Sequence, residues 1–119
     1  MTRNRTRLPN RRCQILEDVD LVIGTEVFPH TIGIGLFDDG RPGEVFIKAH
    51  RKGEFLNLTN DDFGVLMSSL LQRGVTPAEL AHLVGRLEGE QPATIAGVVA
   101  DLLCRLYGVK AAASEGTDG

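Results

Sequence analysis

"GIGLFDDGRPGEVFIKAHRKGEF", residues 33–55, decides how the rest of the chain is read. It holds five glycines, two adjacent aspartates and a cluster of His, Arg and Lys. Two structures compete for it: a loop that cradles a phosphate or a metal, or a β-hairpin with a sharp turn. Ile32, Ile34 and Leu36 alternate with Gly33, Gly35 and Phe37, which predicts a strand with one nearly bare face. Glycine within a strand marks a bulge or the close approach of another backbone. Gly33 and Gly35 are therefore expected to leave room for a helix against the sheet. "DDGRPG" follows, with Asp-Gly favouring positive φ and Pro42 resisting ladder pairing. Val45 and Ile47 then alternate with Glu44, Phe46 and Lys48, so the two runs form an antiparallel hairpin.

Outward from the hairpin, the segment before it is partly alternating from Arg11 to Ile23, and Gly24 to Pro29 is expected to interrupt it. After the hairpin the period becomes helical. Thr59 is a candidate cap, with Asp61 and Asp62 in the first turn and Phe63, Leu66, Met67 and Leu70 as the apolar face, ending at Gly74. Thr76, Pro77 and Glu79 spell a capping box with proline at the first helical position. Leu80, Leu83, Val84 and Leu87 form that helix's expected buried face, with Gly85 costing about 1 kcal/mol relative to Ala. "EGEQP" is a linker, and a third helix is expected over 94–107, with Ile95, Val98, Val99, Leu102, Leu103 and Leu106 buried and Gly108 as its stop. Strands first and helices second predict an α+β fold: a small antiparallel sheet of about three strands followed by about three helices packed on one face.

The 119 residues suit one domain. With 42% hydrophobic residues and no Trp, its core is aliphatic. The expected organisation is a flexible basic arm at 1–10, a domain at 11–108 and a disordered tail at 109–119. The formal net charge of −3 is unevenly spread. Arg3, Arg5, Arg7, Arg11 and Arg12 precede every acidic residue of the chain. Such an arm suits nucleic acid, a membrane surface or an acidic partner; the plainer reading is a solubilising terminus. Cys13 and Cys104 lie far apart, form no CxxC pair and are expected as free thiols, Cys104 within the core. No apolar run reaches the ~18 residues of a membrane span, and a cytoplasmic protein without membrane contact is expected.

Gly33-x-Gly35 is not followed by a glycine that opens a helix, so the dinucleotide fingerprint fails. Asp38-Asp39 lacks the alternating acids of a calcium loop and suits a turn better than a metal. His30, His50 and His82 have no partner at zinc-like spacing, and no nucleophile stands beside a base. No catalytic residue, metal ligand or cofactor is therefore assigned. What remains is a basic cluster, Lys48, His50, Arg51 and Lys52, with Arg41 on the turn. It could hold a phosphate or a nucleotide, or simply blunt an exposed strand with charge.

Three stretches, "GLFDDGRPGEVFI" at 35–47, "SSLLQRGVTPAEL" at 68–80 and "LPNRR" at 8–12, resemble the TSCPD domain, as does the closing "ATIAGVVADLLCRLYG". That domain occurs near the C-terminus of cobalamin-dependent (class II) ribonucleotide reductases and as small stand-alone proteins of bacteria and phages. The resemblance covers about residues 8–108 and implies a link to deoxynucleotide metabolism. It does not carry over the reductase chemistry, which needs a large catalytic barrel, a radical-bearing cysteine, a redox cysteine pair and cobalamin. It supplies no catalytic residue. The expected role is a non-catalytic accessory or binding module acting on a partner protein, on itself as a homodimer or on a nucleotide. Its rivals are a nucleic-acid-binding protein using the arginine arm and a small nucleotide-acting enzyme. A homodimer would need exposed apolar residues on the open sheet face.

Overall fold

The structure is a computed structural model, and it describes residues 14–108. The expected arm at 1–10, Arg11, Arg12, Cys13 and the expected tail at 109–119 lie outside the described residues. Three strands, β1 (Gln14–Ile23), β2 (Glu26–Leu36) and β3 (Pro42–Ala49), are followed by three helices, α1 (Glu54–Gln72), α2 (Pro77–Leu83) and α3 (Ile95–Leu103). A short 3-10 turn spans Glu88–Glu90, and a wider turn, Cys104–Gly108, ends the fold. The sheet is antiparallel with three strands, as expected, and its strand order is β1-β2-β3.

The interruption expected at 24–29 is confined to Gly24 and Thr25. Gly24 takes φ +62, which lets a two-residue loop join Ile23 directly to Glu26. Pro29 therefore sits inside the central strand, opposite Asp20. A residue's N–H and C=O point to the same side of a strand. The Pro29 carbonyl accepts from the His50 N–H at 3.0 Å, so its missing donor falls on the β3 side, just where β3 ends. The reciprocal bond to the His50 carbonyl is therefore missing, and the loss falls at the end of the ladder.

Even-numbered residues of β2 face the helices: Ile32 and Ile34 are fully buried and meet Val45, Ile47, Val99, Leu102 and Leu103 in one core. Gly33 lies on the opposite face, between Leu16 and Phe46. It does not make room for a helix. The close helix approach is at Gly64 instead, where an added Cβ would stand 2.9 Å from the Val45 carbonyl oxygen.

α1 begins at Glu54, capped by the backbone of Gly53, five residues before Thr59. Its buried positions are Asn60, Gly64, Met67, Leu71 and Gln72, while Leu66 of the expected face is exposed. The row Asn60-Gly64-Ser68-Gln72 runs along the outer edge of β3. Gln72 donates to the Gly43 carbonyl at 2.9 Å, and the Ser68 hydroxyl accepts from the Val45 N–H at 2.8 Å. Four helical residues advance about 6 Å, close to the ~6.7 Å of two strand residues. Each helical step therefore meets the next outward-facing backbone group of the strand, and the edge is sealed against further pairing.

α2 starts as read: Thr76 accepts from Glu79 N–H at 3.1 Å, and the Glu79 carboxylate accepts from Thr76 N–H at 2.9 Å. It is shorter than expected. The chain turns extended at Val84, so Gly85 is outside the helix, and Leu83 and Leu87 are exposed. Leu80 is buried. α3 keeps its apolar stripe but winds into the wider turn at Cys104, leaving Leu106 partly exposed.

Candidate functional site: a cavity at the end of the sheet

The turn at the centre of the opening stretch is closed on itself. Gly40 takes φ +89, and Phe37 N–H donates to the Arg41 carbonyl at 2.8 Å. The Asp39 carboxylate accepts from Arg41 N–H at 3.0 Å and from Arg41 Nε at 2.7 Å. These bonds and the Arg41 charge hold the Asp39 carboxyl below the usual carboxylate range. The Arg41 guanidinium also lies 4.9 Å from the Phe37 ring centroid. Arg41 is thus engaged by the turn, and the eight residues of β3, about 25 Å of strand, separate it from the rest of the basic cluster.

The remaining cluster residues divide among separate surfaces. Lys48 is exposed on the open face, opposite Thr31. His50 Nε2 lies 2.7 Å from Thr31 Oγ1, and Thr31 Oγ1 donates to Asp18 at 2.8 Å. Thr31 has one proton, and the carboxylate takes it, so His50 Nε2 is the donor of the other bond. β3 ends at Ala49, so strand alternation does not extend to Lys52, which is exposed ahead of α1. Arg51 turns the other way. Its guanidinium stacks 4.8 Å from the Phe28 ring centroid, at the rim of a cavity.

That cavity, about 330 Å³, lies at the end of the sheet where β2, β3, the first half of α1 and the start of α3 meet. Its walls are mostly apolar and include Leu21, Phe28, Phe63 and Ile95. Its polar lining residues are Arg51, Thr59, Thr94, His30 and Asn60, the last two exposed to only 2% and 1%. His30 Nδ1 is 2.7 Å from the Phe28 carbonyl oxygen. A carbonyl only accepts, so Nδ1 carries the proton, and in the neutral ring Nε2 is a bare acceptor. Nε2 has no partner. Neither Oδ1 nor Nδ2 of Asn60 has one. Asn60 is the next step of the α1 row beyond Gly64, Ser68 and Gln72, yet it makes no bond to β3. Buried polar atoms without partners cost stability. Both residues line the cavity, but these three atoms themselves expose almost no surface to it.

His30 and Asn60 were not singled out as site residues by sequence reasoning. A signal existed for His30: it shares the inward parity of Ile32 and Ile34. Asn60 was hidden by the false cap at Thr59. No group of three or more metal-ligating side chains exists among the described residues, which leaves His30 without the companions a metal needs. No helix among the described residues is long and apolar enough to cross a membrane.

No protein-family model matches the chain, and no solved structure matches it. Three curated relatives carry the name vitamin B12-dependent ribonucleotide reductase. The chain is 38% identical over 71 residues to that of Rhodopirellula baltica and 39% over 75 residues to that of Agrobacterium fabrum. It is 37% identical over 73 residues to that of Bradyrhizobium diazoefficiens. Each match takes in between 60% and 63% of this chain and 6% of the reductase. The chain is therefore similar to a short segment of vitamin B12-dependent ribonucleotide reductases.

Proposed function

We propose that the chain is a TSCPD-like accessory module related to vitamin B12-dependent ribonucleotide reductase, acting by binding and performing no reduction itself. The segmental match carries this reading: it spans most of the small domain but only 6% of a reductase. The chemistry supports it. The two cysteines of the chain are Cys13 and Cys104, and burial beside Asp101 raises the Cys104 thiol above its usual range. That is the reverse of an activated thiolate. Cobalamin does not fit the cavity described. A corrin with its nucleotide tail far exceeds a space of about 330 Å³, which is near the lower limit for small-ligand pockets.

The test is to assay the full chain for ribonucleotide reduction with adenosylcobalamin and a dithiol. In parallel, its co-elution with a vitamin B12-dependent reductase lacking the matching segment is measured. No reduction by the chain alone, together with co-elution, is expected. Turnover by the chain alone, or no association with the reductase, overturns the reading.

A further inference from the structure

We propose that the cavity binds a small apolar monocarboxylate, its hydrocarbon body inside and its carboxylate on Arg51 at the rim. Such a site adds a small-molecule ligand to the binding role proposed above and does not require a reductase partner.

The chemistry of the lining sets the ligand class. Leu21, Ile23, Phe28, Leu56, Phe63 and Ile95 supply much of the wall, which suits a body without polar groups. Arg51 is the single Lys or Arg of the lining, and no Asp or Glu belongs to it. A lone cation beside an apolar space favours an anion and disfavours an ammonium group. One guanidinium balances one charge, so a monocarboxylate suits it better than a phosphate dianion. The Arg51 guanidinium lies 4.8 Å from the Phe28 ring centroid and has no ion pair among the described residues. Stacking uses the face of that planar group and leaves its in-plane N–H donors for the two oxygens of a carboxylate. Thr59 and Thr94 also line the space, and each carries a hydroxyl that can donate to a carboxylate oxygen or to water. The Thr94 hydroxyl makes no capping bond to α3. The buried atoms of His30 and Asn60 take no part, because they expose almost no surface. At ~30 Å³ for each small group, the share of one water in the liquid, a space of about 330 Å³ holds a molecule the size of octanoate.

Calorimetry and thermal shift on the full chain test this with octanoate, 1-octanol, octylammonium and acetate at neutral pH, below micelle-forming concentrations. Octanoate is expected to bind, 1-octanol about tenfold more weakly, and octylammonium and acetate not measurably. Arg51→Gln is expected to bring octanoate down to the level of octanol and to leave octanol unchanged. Ala49→Leu fills the space from the end of β3 and is expected to abolish binding of both, with the circular dichroism of the parent retained. Phe46→Lys, on the open face of the sheet, is expected to change neither. Equal binding of octanoate and octylammonium, octanoate binding unaffected by Arg51→Gln or by a folded Ala49→Leu, its loss in Phe46→Lys, or no binding of octanoate each overturns the proposal. Co-elution with the reductase is read separately, so failure here leaves the accessory role standing.

Discussion

At Gly64 one hydrogen atom decides how closely α1 can lie on β3. An added Cβ would stand 2.9 Å from the Val45 oxygen, which Ser68 holds at the outer edge of β3. Alanine normally favours a helix over glycine by about 1 kcal/mol, but overpacking against a fixed group costs about 1–3 kcal/mol. Gly64→Ala is therefore expected to lower stability in urea by about 1–2 kcal/mol. Gly85→Ala is the control: its added Cβ would meet only Ala93 at 3.9 Å, and it should stay within about 0.5 kcal/mol of the parent. A second residue-scale prediction concerns pH. Burial pushes the thiol of Cys104 and the phenol of Tyr107 above their ordinary pKa values, with Asp101 adding to the first and Glu17 to the second. The unfolded chain ionises these groups at lower pH than the folded one. Their contribution is therefore complete below the ordinary thiol and phenol values and is lost as pH rises through the folded ones. Melting temperatures scanned from neutral to strongly alkaline pH should fall less steeply in Cys104→Ala/Tyr107→Phe than in the parent. Parallel curves would remove these groups as the cause.

Among the elements, α2 and α3 are joined by one ionic clamp. The Arg86 guanidinium donates twice to the Asp101 carboxylate, both bonds at 2.8 Å, and once to the Ala81 carbonyl at the end of α2 at 3.1 Å. The fork-to-carboxylate geometry is one lysine cannot reproduce. Partial exposure, 22% for Arg86 and 39% for Asp101, reduces its worth through solvent screening. Arg86→Lys and Asp101→Asn are each expected to cost about 1–2 kcal/mol, and the double variant little more than either. Full additivity in a double-mutant cycle would mean that the two do not act as a pair. The order of strands before helices, the β2–β3 hairpin and the Thr76 cap were legible, because alternation, the Asp-Gly turn and capping boxes are local signals, whereas the β1–β2 hairpin was hidden behind an expected break at 24–29. The start and buried face of α1 were not. Hydrophobic periodicity finds faces that meet a core, but this helix meets a strand edge, which calls for small and polar residues. Asn60, Gly64, Ser68 and Gln72 at four-residue spacing were the relevant pattern. The same blind spot hid the candidate site, since Asn60 belongs to that row and His30 carries polarity on an apolar parity. Of the basic cluster, only Arg51 reaches the cavity, because β3 ends before alternation can align the others.

For the whole molecule, the two edges of the sheet are treated differently. β3 is sealed by α1, whereas β1 has no strand on its outer side among the described residues. A ten-residue edge strand is a template for pairing with another copy unless charge discourages it. β1 carries Asp18 and Asp20 on its exposed side, and two copies paired through β1 would bring four carboxylates together. Their repulsion acts over a Debye length of about 10 Å at 0.1 M salt. Asp18→Asn/Asp20→Asn is therefore expected to self-associate more than the parent in sedimentation velocity, and added salt should move the parent the same way. The open face offers a second route to a dimer, because Leu16 and Phe46 are 72% and 50% exposed on either side of Gly33. Phe46→Lys separates the two routes. It dissolves a face-to-face homodimer of the parent but leaves the edge-driven association of the aspartate variant intact. An aspartate variant that sediments like the parent at every salt concentration would show that the carboxylates do not guard the edge. A parent that stays monomeric with and without Phe46 would leave that apolar face without a second copy of the chain as its occupant.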